Sequence, residues 1–452
     1  MTDIHKILVA NRGEIALRIM RSAREMGIQT VAIYSEADRL SPHVRFADEA
    51  FCVGPPPSAE SYLNIQRIID TAIACGAQAI HPGYGFLSEN EHFARRVTES
   101  GLIFIGPSAH SIGLMGNKLA AKKMAADHGV PLVPGTKDPV LDTATGQRIA
   151  REIGYPILLK AAAGGGGKGM RIVEREEDFP SMMERAVSEA AAAFGDGSVF
   201  IEKYIGKPRH IEFQVLGDTH GNVVHLFERE CSVQRRHQKV IEEAPSSVLT
   251  PELRSEMGDA AVRVARACGY YGAGTIEFLL DENQRFYFLE MNTRLQVEHP
   301  VTEEVTGLDL VEWQLTVADG GELPSQDSIQ TKGHAIEYRV YAEDPKTFFP
   351  SPGKLEKLQW GEGARIETGY EEGNQVTPFY DPMISKIIIR GTDRIDALSK
   401  SQTFFNHVTI TGVKTNILLF KEFIRSEEFI SGDYATAVLP QWMEKIKEEH
   451  TL

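Results

Sequence analysis

The chain has 452 residues, 42% hydrophobic and 25% charged, a composition that fits a globular protein of two or three domains. Its net charge of −15 argues against nucleic acid as the main partner, so any phosphate site must be locally basic. No run approaches the ~18 apolar residues of a membrane span, and the N-terminus has no signal-peptide core.

The four cysteines, Cys52, Cys75, Cys231 and Cys268, show no CxxC spacing and no disulfide framework, which reads as buried thiols in the cytoplasm. Residues 5–35 read as strand, turn, helix and strand. HKILVA is apolar, Asn11-Arg12-Gly13-Glu14 turns, IALRIMRSAREMG has helical period and TVAIYS is a second strand. Such a βαβ unit predicts a Rossmann-like parallel sheet. The GxGxxG fingerprint is absent, which disfavours a dehydrogenase. A second alternation follows, with helix LNIQRIIDTAIACG, strand AQAIHP and a loop from Gly83 through Tyr84 to Asn90. Loops at such strand ends bind ligands, although alone this one reads as a structural turn. After the strand GLIFIGPS, Lys118 opens a helix against the macrodipole, which favours a role for its charge.

From about 130 the chain enters an irregular Pro-rich stretch, a helix, and the strand YPILLK ending in Lys160. AAAGGGGKGM and the strand MRIVERE come next. Gly164 to Gly167 with Gly169 suit backbone amides approaching phosphate, or a loop closing over ligand. The run is not a Walker A loop, because Gly169 follows Lys168 and the loop lies between strands. SVFIEKYI, with Glu202, Lys203, Tyr204 and Ile205, reads as an edge strand. HIEFQVLG opens with His210, and the strands after it end in the densest basic cluster of the chain, Gln234-Arg235-Arg236-His237-Gln238-Lys239.

TIEFLL and FYFLEMN, joined by Asp-Glu-Asn-Gln, read as a β-hairpin with Leu280 opposite Arg285. Alternation then puts Glu277, Glu290 and Asn292 on one face, a hard-cation site suited to Mg²⁺ on nucleotide phosphates. VTEEVTGLDLVEWQLTVADGGELP reads as one amphipathic helix ending at Gly320-Gly321. GHAIEYRVYAED opens a last, mostly β region in which Glu337 and Arg339 share a strand face. Such a pair is usually a salt bridge worth under ~1 kcal/mol when exposed.

NTRLQVEHPVTE resembles the signature of biotin carboxylases, the biotin-dependent branch of the ATP-grasp enzymes. The resemblance runs in order from ANRGEIA to FYDPMISK, nearly the whole chain. It implies an α/β and α+β architecture: a Rossmann-like domain over 1–115, an ATP-grasp domain over 116–330 with a mobile lid at about 132–204, and a mostly β domain over 331–447. It also implies ATP- and bicarbonate-dependent carboxylation of biotin through carboxyphosphate, a carbon–nitrogen ligase reaction. The chain would be a stand-alone subunit of acetyl-CoA carboxylase type, serving fatty acid synthesis. A subunit of a pyruvate, propionyl-CoA or other acyl-CoA carboxylase is the alternative, and a different ATP-grasp ligase or an idle ATP-binding regulator are the others.

Residue by residue, the resemblance implies ATP contacts from Lys118, Lys160, Gly165, Gly166, Glu202, Lys203, Tyr204, Ile205, His210, Gln234, His237 and Leu279. Glu277, Glu290 and Asn292 would hold Mg²⁺ or Mn²⁺, two ions in all. Lys239, Arg294, Gln296, Val297 and Glu298 would bind bicarbonate, with Glu298 as general base. Tyr84 and Arg339 would meet biotin, Arg339 stabilising its enolate, and Asp381 and Lys386 would line the same cleft. Glu298, Arg294, Arg339 and Lys239 form the implied catalytic set. No Met-Lys-Met carrier motif is present, so a separate biotin carboxyl carrier protein and a carboxyltransferase are the expected partners, with a homodimer as the family's assembly.

Overall fold

The first βαβ unit forms where its apolar periodicity predicts. In the computed structural model, which describes residues 3–140, 142–161, 170–194, 197–236 and 238–449, β1 (Lys6–Val9), α1 (Gly13–Glu25) and β2 (Gln29–Ser35) follow one another directly. β3 (Glu49–Gly54), β4 (Ala79–His81) and β5 (Ile103–Phe104) complete a parallel sheet ordered β3-β2-β1-β4-β5. The strand order reverses beside β1, and the loops after β1 and β4 leave the sheet there, the usual position of a ligand crevice. Asn11 ties them together, its Nδ2 donating to Pro82 O and Tyr84 O at 2.7 Å each. Gly83 has φ +63°, and a Cβ there would lie 2.9 Å from the Asn11 amide, so the turn requires glycine. α2 (Lys118–Asp127) is capped by Asn117, whose side chain accepts from Leu119 and Ala120 N–H at 3.1 Å.

Contacts divide the chain into two compact units. One comprises Pro131–Pro208 with Leu280–Phe288, and the other holds the remaining residues. The smaller unit contains an antiparallel sheet of β6 (Ile157–Ala161), β7 (Met170–Val173) and β8 (Val199–Lys203), ordered β7-β6-β8. Ile157, Leu159, Val199 and Ile201 pack there with Phe179 and Met183.

The larger sheet is built from β9 (Arg209–Gly217), β10 (Val223–Arg235), β11 (Gln238–Ala244), β12 (Gly272–Leu280), β13 (Phe286–Asn292), β14 (His334–Tyr341), β15 (Arg365–Thr368) and β16 (Met383–Gly391). Its order is β13-β12-β9-β10-β11-β14-β16-β15. β11 pairs antiparallel with β14, so one sheet runs through the strands on either side of residue 330. The C-terminal region also carries helices, including Arg394–Asn406 and Ile417–Phe423, whose Phe405 and Phe420 pack on Tyr338.

Three local expectations change. The hairpin turn closes on Asp281 rather than Leu280: Asp281 N–H donates to Arg285 O at 2.9 Å, and Gln284 takes φ +59°. The single helix after Pro300 is two, α3 (His299–Thr306) and α4 (Leu310–Ala318). Gly307 ends the first in the left-handed region at φ +73°, and Asp309 caps the second by accepting from Glu312 N–H at 2.8 Å. Among the cysteines, Cys231 and Cys268 are buried, whereas Cys52 is exposed and Cys75 half-buried.

Candidate active site

The loop between β13 and α3 carries the polar run Arg294 to Glu298 across the edge of the large sheet, where it meets β9, β11, β12 and β14. At its centre is the ammonium of Lys239 on β11. It lies 2.5 Å from Glu212, 2.9 Å from Glu277 and 2.7 Å from Glu298. Burial alone would push an ammonium toward neutrality, but three carboxylates hold the Lys239 proton well above the usual lysine range. Burial likewise favours the neutral form of Glu298, yet Lys239 and Arg339 keep its carboxyl well below the usual range. Glu298 is therefore an ionised acceptor, with Oε1 on Lys239 and Oε2 taking a 2.9 Å bond from Arg339 Nη2.

Glu277 is equally engaged. Asn292 Nδ2 and Gln296 Nε2 donate to its Oε1 at 2.9 and 3.0 Å, and His210 Nε2 lies 2.9 Å from Oε2. Against burial, Lys239 and His210 hold Glu277 low, and Glu277 in turn raises His210. The hairpin thus brings Glu277 and Asn292 to one face. Glu290 is half-buried beside them and, among the described residues, has no hydrogen bond or ion pair. Burial, then the Glu277 charge, push its carboxyl up. Glu290 lines the same cavity as the Glu277 carboxylate and the Asn292 amide, and these are the hard oxygen-bearing side chains a divalent cation takes, so the residues fit the expected ion.

These groups line one cavity of about 420 Å³, together with Gln234, Arg294, Val297 and Arg339. Gln234 reaches His210 Nδ1 at 2.9 Å. Lys118 shares a 290 Å³ cavity with Glu290 and Asn292. A larger cavity of about 590 Å³ is lined by Tyr84, Phe379, Tyr380 and Asp381, and Arg294, Val297 and Arg339 line it as well. Tyr84 donates its hydroxyl proton to Glu14. Lys386 is fully buried, donates to Val297 O at 2.8 Å and lies 3.2 Å from Glu14.

Chains with this arrangement are well represented among known proteins. The N-terminal domain of biotin carboxylase matches residues 3–112, the ATP binding domain of the carbamoyl-phosphate synthase L chain matches 117–326, and the C-terminal domain of biotin carboxylase matches 337–441. "Biotin carboxylase 2" of Bacillus subtilis is 54% identical over 439 residues, covering 96% of this chain and 99% of that protein. The chain belongs to the biotin carboxylase family. A pyruvate carboxylase subunit from Methanothermobacter thermautotrophicus is 51% identical, over 98% of this chain and 91% of its own. A crystal structure of the biotin carboxylase domain dimer of Hydrogenobacter thermophilus 2-oxoglutarate carboxylase, with MgADP, ADP and bicarbonate, superposes with TM-score 0.86 at 49% identity, covering 97% of each chain. Biotin carboxylases are ATP-dependent ligases, which agrees with the expected reaction class.

Several expectations about this biotin carboxylase's site change with the geometry. Arg339 pairs not with Glu337 on its own strand but with Glu242, across on β11, and with Glu298. Arg235, in the middle of the basic cluster, is occupied by Glu343 at 2.6 and 2.9 Å and stacks 4.1 Å over Phe348. Lys160 and Glu202 pair with each other in the smaller unit, where Lys203 donates to Gly154 O at 2.8 Å. Tyr204 and Ile205 follow β8, and Leu279 is half-buried on β12. Gly165, Gly166, Lys168 and His237 lie outside the described residues.

Other residues at the site gave no local signal. Arg229 on β10, with no exposed surface, bonds Glu212 at 2.5 Å, Gln214 at 2.7 Å, Thr302 at 2.9 Å, and Thr275 and Gln296 at 3.0 Å. Glu89 accepts from Arg294 Nε at 2.7 Å and from Thr293 N–H at 3.1 Å. Alternation within a strand reveals which face a residue occupies, but not which distant strand lies opposite.

Proposed function

We propose that this biotin carboxylase carries out the first half-reaction of an acetyl-CoA carboxylase, with biotin presented on a separate carrier protein. The observation that carries the reading is the ionised Glu298, held between Lys239 and Arg339 where the 420 Å³ and 590 Å³ cavities share Arg294, Val297 and Arg339. A proton acceptor flanked by cations at the meeting of two cavities suits the joining of a small anion to a second substrate.

In this account Lys239, Arg294, Gln296 and the Val297 backbone orient bicarbonate, and Glu298 takes its proton. Anions entering the site draw on Lys239 and Arg339, which raises the proton affinity of Glu298 at the moment it is needed. The bicarbonate oxygen then attacks the γ-phosphorus of ATP, ADP leaves, and carboxyphosphate forms. Lys118, Lys160, Gly165, Gly166, Glu202, Lys203, Tyr204, Ile205, His210, Gln234, His237 and Leu279 are the residues the family resemblance assigns to ATP. Glu277, Glu290 and Asn292 would hold Mg²⁺, which when bound neutralises phosphate charge. Carboxyphosphate yields CO₂ and phosphate, the phosphate removes the ureido proton, and the biotin nitrogen attacks CO₂. Arg339 stabilises the enolate, and Tyr84 walls the biotin pocket.

The division into 1–115, 116–330 and 331–447 is supported by the three matching domain descriptions. The carrier, the carboxyltransferase and a homodimer follow from the family. Cytoplasmic residence is part of the same proposal; among the described residues no helix is long and apolar enough to span a membrane. A second reading keeps the half-reaction and changes the acceptor: the similarity to part of a pyruvate carboxylase favours pyruvate. The test is transfer of labelled bicarbonate carbon to free biotin, then from carboxylated carrier to acetyl-CoA or pyruvate by the matching carboxyltransferase. Label on biotin that passes to acetyl-CoA supports the first reading, transfer to pyruvate the second, and no label on biotin contradicts both.

A further inference from the structure

Two carboxyls beneath α3 have no part in the scheme above. Glu242 on β11 and Glu337 on β14 are direct cross-strand partners, so their side chains leave one sheet face roughly 5 Å apart at Cβ. Both are completely buried. Among the described residues neither oxygen of Glu337 has a hydrogen-bond partner, and Glu242 has an ion pair to Arg339 but no hydrogen bond. The ionisable groups acting on them are Arg339 on β14, Lys386 on β16, Lys239 on β11 and Glu298 at the start of α3.

The cations are already committed. Lys386 is bonded to Val297 O and lies 3.2 Å from Glu14, Lys239 is shared by three other carboxylates, and Arg339 is divided between Glu242 and Glu298. His299 turns Nδ1 to Gln296 O at 2.7 Å and is kept neutral by burial and by Lys386. Two opposed, sealed carboxylates with no spare counter-charge do not both ionise. Burial indeed holds Glu337 well above the carboxylate range, and burial raises Glu242 to about 7 although Arg339 opposes it.

We propose that Glu337 and Glu242 share one proton, with neutral Glu337 donating to Glu242, and that together they are positioning residues for Arg339. The shared proton leaves Glu242 a full charge on the guanidinium. When Glu298 takes up a proton and loosens its hold, Glu242 still keeps Arg339 in place. As pH rises and the shared proton leaves, two charges draw Arg339 back toward β11, so turnover falls on the alkaline side. The consequence for turnover rests on the role proposed above for Arg339, whereas the proton itself does not.

The test uses the purified full chain. Infrared spectra with ¹³C-labelled glutamate are expected to show buried carboxylic-acid absorption near neutral pH, part of which is lost in Glu337→Gln. The alkaline limb of the kcat–pH profile is expected to move up by about one unit in Glu337→Gln. Glu242→Gln, which removes the charge paired with Arg339, should lower kcat about tenfold or more and raise the KM for biotin but not for ATP. Absorption unchanged in Glu337→Gln, or an alkaline limb that stays in place, would overturn the proposal. So would a Glu337→Gln chain that fails to fold, because an isosteric neutral side chain is what the proposal places there. If the chain does not carboxylate biotin at all, the infrared arm still decides the shared proton.

Discussion

Lys239 binds three carboxylates at once, and removing it leaves Glu212, Glu277 and Glu298 facing one another in a buried site. Lys239→Met should therefore cost roughly 3–5 kcal/mol of stability, read as a fall in the urea midpoint, as well as turnover. Glu298→Gln behaves differently. It removes the proton acceptor and should lower bicarbonate-dependent ADP release about 10²- to 10⁴-fold while the chain stays folded by circular dichroism. Equal losses of folding in the two variants would argue that Glu298 is structural. At this scale Lys239, Glu298 and Arg339 were legible in the sequence because they stand in motifs. Glu242, Glu212 and Glu89 were not, because each is an ordinary glutamate until a distant strand or loop is laid beside it. Arg235 shows the reverse: it stands in the densest basic run of the chain, yet Glu343 occupies its guanidinium.

Among elements, the strongest tie at the site is Arg229, which joins β10 to β9, β12, α3 and the Gln296 loop. Arg229→Met leaves the buried Glu212 mainly with Lys239 and the Gln296 side chain held by Glu277. It should destabilise the chain by roughly 3–5 kcal/mol and raise the KM for bicarbonate in the protein that folds. Equilibrium urea unfolding with steady-state assays on the same sample checks both, and an unchanged KM would remove Gln296 from the bicarbonate site. The strands and helices of the site were readable from period two and period 3.6, including the βαβ opening and the hairpin. The break between α3 and α4 was missed because apolar spacing continues through Val311 and Leu315, whereas the stop depends on the left-handed backbone at Gly307.

For the whole molecule, buried ionisable groups set opposing pH dependences. His43 and His81 are held by burial at about 4 and about 3, and His299 well below its usual range. Each therefore removes about 1.4 kcal/mol of stability per pH unit as pH falls below ~6.5, because only the unfolded chain takes the proton. Burial raises Glu230 to about 7 and lifts the Glu242 and Glu337 pair as well, so these gain stability as pH falls from 7 to ~4.5. Glu14, His210 and Glu290 are raised as well and join the second set, and His225 joins the first, so the two sets oppose one another in that window. Below ~4.5 the glutamates stop helping. Glu243, which His334 and Arg394 hold at about 2 against burial, then joins Glu277 and Glu298 in losing stability as the unfolded chain protonates. Urea midpoints should hold or rise from pH 7 to 5 and drop steeply below 4.5, and a steady decline from pH 7 would contradict this opposition. The central claim, that the site joins bicarbonate to biotin at the expense of ATP, is tested most directly by ADP release from the purified chain with Mg²⁺, omitting bicarbonate or free biotin in turn. Release that requires bicarbonate and rises strongly with biotin is the predicted result. Bicarbonate-dependent release indifferent to biotin, or tight ATP binding with no turnover in a folded sample, would contradict it.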